Sequence, residues 1–486
     1  MKKIFLILAI AASTYSCDDL ASLNENEKTP SKVPAYTLFT SAERSLSDQM
    51  VNTNVNRNIF RLTAQFWTET TYTDESNYDF VTRKISDNHW NALYAGTLAD
   101  LEKSRISIMN ETIPSNDPDL VNKTQIRKNK LAMIDILMSY TYQVLVDTFG
   151  AVPYTEALKG GDNYLPKYDK GQDIYKALLI RLDNALAELD PSFSSFDDAD
   201  VIYNGDLDKW IKFGNSIKLK LGINLLASNL DNTIATNAIN EAITGGLISA
   251  NSENCKVPYM KTLPNTNPLF VDLVNSGRHD FVVTKPFVDK LIALNDPRRV
   301  IFTNGGLNGG VVGSSNSYSS KTNTKGTILE KEDFSGTLLD LSEVEFLLAE
   351  AAERGITAAG SAESHYNKAI LASMDDWGVN PSDAVTYLAQ VNVAYTTATG
   401  SWKQKIGEQA WIGLYNRGFE AWTSYRRLDF PVLTAPANAQ AAAEGKVPVR
   451  LAFPIREQTL NPTNYDSAAD AIGGDKLTTK IFWDIN

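Results

Sequence analysis

Residues 131–149 read LAMIDILMSYTYQVLVDTF, with Leu131, Ile134, Met138, Thr141, Leu145 and Phe149 recurring every three or four residues. A helix of 3.6 residues per turn brings those positions onto one face. The spacing predicts a helix whose apolar stripe is core. Outward from it the same period returns. Trp90, Leu93, Tyr94, Leu98 and Leu101 form one stripe, and Trp210, Phe213, Ile217, Leu221 and Leu225 another. Phe346, Leu347, Ala349, Glu350 and Ala352 belong to a further helix that Gly355 is placed to end, since glycine readily takes the left-handed C-cap conformation. The fold class read from these stripes is mostly α.

A second spacing suggests how the helices associate. Leu178-Leu182-Ala185, Ala235-Ile239-Ala242 and Ala362-Tyr366-Ala369 share the offsets 0, +4 and +7. Tetratricopeptide repeats use that spacing in their second helix, where small residues let helices approach closely. The three sets start 57 and 127 residues apart, so they are not tandem. The expectation is a helical-repeat scaffold interrupted by long insertions. Residues 68–86, 153–170, 251–278 and 303–326 are the insertions, and such loops commonly carry function. The last, TNGGLNGGVVGSSNSYSSKTNTKG, holds six Gly and five Ser. Its length suits either a functional loop or a disordered one.

The chain starts MKKIFLILAIAASTYSCDDL. Lys2 and Lys3 precede nine apolar residues, 4–12, which as a helix would span only about 14 Å and so cannot cross a bilayer. Residues 1–16 read as an export signal that is removed. Cys17 at the end of the small-residue run reads as an acylated lipoprotein cysteine, although Thr14 stands where such signals usually carry Leu. The alternative is an ordinary secretory signal cut within residues 13–16. Residues 17–35 are polar and read as a tether, leaving 36–486 as one domain.

Losing Lys2 and Lys3 moves the formal charge from −12 to −14. Such acidity argues against a nucleic-acid partner, which needs a basic patch. Cys17 and Cys255 are the only cysteines, so an acylated Cys17 leaves no intramolecular disulfide. Enzyme signatures are scarce. There is no G-x-S-x-G elbow, H-E-x-x-H or Walker A loop, and the glycines from 305 to 313 do not fit G-x-G-x-x-G. His89, His279 and His365 lack metal-ligand spacing. His279, between Arg278 and Asp280, reads as a surface or capping residue. No cofactor or metal is expected. A glycosidase needs only two suitably spaced carboxylates, and 58 acidic residues leave that reading open.

Six segments, in order, carry a family resemblance: WNALY at 90–94, FGAVPYTEAL at 149–158, WIKFGNS at 210–216, LNDPR at 294–298, RGFEAWTSYRR at 417–427 with Pro431 after it, and TKIFWD at 479–484. Together with the lipoprotein signal they resemble the SusD/RagB-like outer-membrane lipoproteins, which more often end on two tryptophans. The resemblance implies four tetratricopeptide-like helix pairs with a ligand site built from the insertions. It implies a protein held by acyl chains in the outer membrane and facing the exterior. There it would cap a TonB-dependent, SusC-like β-barrel transporter and pass it oligosaccharides or, in some branches, peptides, without chemistry of its own. Trp422 and the Arg426-Arg427 pair then read as scaffold.

Sugar recognition needs flat apolar faces for ring C–H groups and fixed polar groups for hydroxyls. The run FWTETTYTDESNYDF at 66–80 mixes both. Trp67, Tyr72 and Tyr78 are the expected stacking rings, with Asp74 and Asn77 as hydroxyl partners. Trp67 as part of the preceding helix and core is the opposing reading. Tyr318, the lone aromatic of the Gly/Ser loop, is placed to close over a ligand, and Arg278 and Asp280 bracket another insertion as further candidates. The expected function is capture of a glycan. A peptide-binding member of the same architecture and an extracellular glycoside hydrolase are the alternatives.

Overall fold

The computed structural model describes residues 33–322 and 329–485. The signal, Cys17 and nearly all of the tether fall outside the described residues. The long helices are α1 (Ala35–Val51), α2 (Ala99–Asn110), α3 (Leu120–Phe149), α4 (Gly171–Glu188), α5 (Leu207–Ala227), α6 (Asn232–Gly245), α7 (Leu341–Glu353), α8 (Ala362–Asp376), α9 (Trp402–Gly413) and α10 (Gly418–Leu428). The first eight pack as four pairs: α1 against α2 and the turns leading into it, α3 against α4, α5 against α6, and α7 against α8. The three 0, +4, +7 sets fall on α4, α6 and α8, each the second helix of its pair. A Cβ on Gly222 of α5 would come within 2.7 Å of Ile239 on α6, so this pair needs glycine for its close approach.

Local chemistry starts these helices where the core needs them. Asp206, Asp340 and Ser361 each accept a hydrogen bond from a backbone amide of the first turn that follows, satisfying donors the helix leaves open. Trp210, Phe213, Ile217, Leu221 and Leu225 are all buried, as their period predicts. The 90–101 stripe is also helical, but residues Ala92–Leu98 wind as a π-helix ahead of α2. Period alone does not separate that winding from an α-helix.

Residues 417–427 fasten the pairs together. The Arg426 guanidinium stacks 3.5 Å from the Trp422 ring and 4.8 Å from that of Trp483. It also donates to the carbonyls of Asp147 (2.6 Å) and Val449 (2.9 Å). Arg427 pairs with Glu350 of α7 at 2.9 Å and donates to Asn224 of α5 at 3.0 Å. Both arginines are buried, and each ties one helix to another pair. They are scaffold, as the resemblance implied.

Three short antiparallel ladders pin the insertions to this scaffold. β1 (Trp67–Glu69) pairs with β5 (Phe281–Val283), β2 (Ala151–Val152) with β3 (Asp169–Lys170), and β4 (Cys255–Val257) with β6 (Gly336–Leu339).

Candidate functional site

The β1–β5 ladder sets Trp67 opposite Val283 and Glu69 opposite Phe281. The Thr70 amide extends it by donating to the Asp280 carbonyl at 2.8 Å. This brings the 68–86 insertion beside the end of the 251–278 insertion. The Gly/Ser loop then folds onto the same ladder. Gly310 donates to Val283 (2.8 Å), Lys285 donates to Gly310 (2.7 Å), and Asn316 donates to the Thr70 carbonyl (2.9 Å). A Cβ on Gly309 would stand 2.4 Å from Lys285 backbone, so glycine permits this close layering. Up to Thr322 the loop is therefore a packed element, and its last four residues (323–326) lie outside the described ones.

The three segments present one face to solvent. Tyr72 projects from it at 78% exposure. His279 and Tyr318 stack with ring centroids 4.0 Å apart and planes 22° apart. Arg278 and Asp280 form an exposed ion pair at 2.7 Å. Beside them runs a cleft of about 250 Å³, lined among others by Asn54, Tyr72, Arg83, Arg278 and Asp280. Flat rings flanking fixed polar groups give the two kinds of contact a sugar requires.

Glu69 forms part of the cleft wall. Its carboxylate accepts the Ser76 amide at 2.9 Å while its own amide donates to the Ser76 hydroxyl at 3.0 Å. Burial, with Glu75 beside it, pushes Glu69 up to about 8. Burial raises Glu75 as well, although Arg83 pairs with it.

Two expected stacking rings are corrected by their positions. Trp67 is only 1% exposed; its indole donates to the Tyr415 hydroxyl at 3.0 Å and its ring meets the Arg61 guanidinium at 5.0 Å. Tyr78 is likewise buried, with its hydroxyl accepting from Gln65 at 3.2 Å. Neither offers a face to a ligand, because the β1 ladder and the turn at 75–78 direct both inward. Asn77 is buried too. Its amide donates to the Thr73 and Gly313 carbonyls (2.8 and 2.7 Å), so it ties two insertions together. Asp74 is exposed near Tyr72. Of the predicted residues, Tyr72, Arg278 and Asp280 line the cleft together, and Tyr318 stacks on His279 outside its lining. Sequence reasoning missed the ring of His279 as the partner of Tyr318, since 39 residues separate them and only the ladder joins their loops.

Among the described residues no group of three or more His, Cys, Asp or Glu is arranged to hold a metal ion. No described helix is long and apolar enough to cross a membrane.

Comparison with known proteins bears on the family and the fold. A SusD-like family model, described as "Starch-binding associating with outer membrane", matches residues 26–454. A solved structure of a chitin-binding protein superposes with a TM-score of 0.77 at 26% identity, covering 93% of this chain and 100% of the other. A chitin-binding SusD homologue from Flavobacterium johnsoniae gives 0.75 at 22% identity, covering 93% and 99%. A SusD homologue from Bacteroides uniformis gives 0.75 at 23%, covering 93% and 100%. The last two show the shared fold. No curated protein matches the chain.

Proposed function

The chain belongs to the SusD-like family, and from that membership we propose that it captures glycans at the cell surface on the face made by Tyr72, His279 and Tyr318. In this reading Cys17 carries the acyl chains that hold residues 36–486, one domain, to the outer membrane. The captured oligosaccharide passes uncut to a partner TonB-dependent transporter. The observation that supports it most is the exposed Tyr72 on a cleft that it lines together with Arg278 and Asp280, with His279, the residue between those two, stacked on Tyr318. The chitin-binding relatives make chitin, with starch, the first polymer to try.

Affinity electrophoresis through gels containing soluble chitin derivatives, starch or other polysaccharides tests this. The native chain should be retarded in at least one gel and should release no new reducing ends. The combined Tyr72→Ala, His279→Ala, Tyr318→Ala variant should migrate freely with an unchanged melting curve. Retardation surviving in that variant would remove the site from this face. Labelled palmitate should enter the native chain and not a Cys17→Ala variant.

A further inference from the structure

Arg83 lines the Tyr72 cleft, whereas the next residue, Lys84, lines a separate pocket of about 500 Å³, twice the volume of that cleft. Its lining is mostly apolar. Val81 (62% exposed), Ile455 (37% exposed) and the half-buried Tyr465 open onto it, with Phe80 and Phe453 as the floor behind them. A concavity of this size, apolar with a few polar groups, is the usual form of a small-molecule site. The backbone around it is strained as well. Tyr78, Lys84 and Glu444, from two separate stretches of the wall, have φ of 69°, 52° and 51°. None is Gly, Asn or Asp, which take this region readily. Such conformations persist where the surrounding structure enforces them, and they cluster at ligand sites.

The polar groups of the lining divide into engaged and open ones. Asp79 accepts the amides of Val81 and Thr82 at 3.1 and 3.0 Å, and Asp87 those of Ile455 and Arg456, both at 3.0 Å. Asp475 pairs with Arg450 at 2.7 Å, and Glu444 with Lys476 at 2.9 Å. Every one of these carboxylates has its partner within the chain, so none is left to draw a cation. Together they outnumber Lys84 and Lys476 and oppose an anion. The open groups are the Lys84 amine and the carboxamides of Gln440 and Gln458. All three residues are exposed and line the pocket, and their side chains have no partner among the described residues. A carboxamide both donates and accepts, which matches another amide. The occupant these walls suit is neutral and carries an amide beside a small apolar group.

We propose that this pocket is a second glycan subsite that takes an N-acetylated hexosamine unit, its acetamido methyl against Val81 and Ile455 and its amide paired with the carboxamides of Gln440 and Gln458. The inference rests on the glycan reading above, which makes the neutral, amide-bearing occupant a sugar.

Isothermal titration of the full chain with the β-1,4-linked tetramers of N-acetylglucosamine and of glucose tests it, since the two differ only in carrying acetamido or hydroxyl at C2. The acetylated tetramer should bind about tenfold or more tightly. A Gln440→Ala, Gln458→Ala double variant, with its fold checked by circular dichroism, should bring that ratio close to one. Ala442→Trp, which fills the pocket from an exposed position of its wall, should do the same. A blocked alanine tetrapeptide, with amides and methyls but no sugar ring, should not compete. Equal binding of the two tetramers, binding of neither, a preference that persists in either variant, or displacement by the tetrapeptide overturns the subsite. Retention in the starch or other polysaccharide gels would survive such a result, so the loss of this subsite and the loss of the glycan reading are separately visible.

Discussion

Two regions of this molecule use aromatic and charged side chains in opposite ways. In the paired-helix scaffold, Arg426 is enclosed between Trp422 and Trp483, and Arg427 is locked to Glu350. On the insertion face, Tyr72 stands in solvent, His279 and Tyr318 stack on each other, and Arg278 meets Asp280 at the surface. The same residue types secure helices in one place and remain available in the other. Burial makes the difference: an enclosed charge must be matched by its own chain, whereas an exposed one can wait for a ligand.

Breaking the scaffold should have the largest effect. Glu350→Ala removes the buried carboxylate with which both Arg427 and Arg354 pair; denaturant unfolding should show a loss of about 3–5 kcal/mol. Trp67→Ala sharpens the comparison inside a single insertion, because that ring belongs to the core. It should destabilise by about 3 kcal/mol or more, and a melting point close to native would return Trp67 to the surface.

The two regions should also part company with pH. Burial holds the scaffold's His89 neutral, down to about 3 from an ordinary 6.5. Its contribution is complete above about pH 6.5 and is lost as pH falls from there toward 3. Glu69 at the face is shifted the other way, from 4.5 to about 8. The folded face binds the proton more tightly, so this contribution is complete below about pH 4.5 and fades as pH rises toward 8. Unfolding curves across pH 4–9 should show Glu69→Gln flattening the second slope alone. The smallest effect on stability is expected for Tyr72→Ala, within about 0.5 kcal/mol, together with weakened retention in the polysaccharide gel. A large stability loss there would mean that this ring, too, is packed.

Much of the scaffold could be read directly from residues. The 210–225 stripe and the 0, +4, +7 sets marked helices and their pairing, because helix period and small-residue contacts are written within a few turns of chain. The face was legible only in part. Tyr72 is exposed and Tyr318 is half-buried against His279, but Trp67 and Tyr78 were assigned outward when both are buried. In the run 66–80 nothing local distinguishes Tyr72 from Tyr78, which share a positive φ of 54° and 69° and yet point to opposite environments.

By itself the sequence determined an acidic, mostly helical chain with repeat-like helix pairs and the ordered motifs of its family. Tertiary structure alone decided which rings meet solvent, that His279 stacks on Tyr318, and that Lys84, Gln440 and Gln458 share one pocket. The physical reason is range. A helix is specified by neighbours three and four residues apart, whereas the face depends on residue 70 hydrogen-bonding residue 280 and residue 316 hydrogen-bonding residue 70.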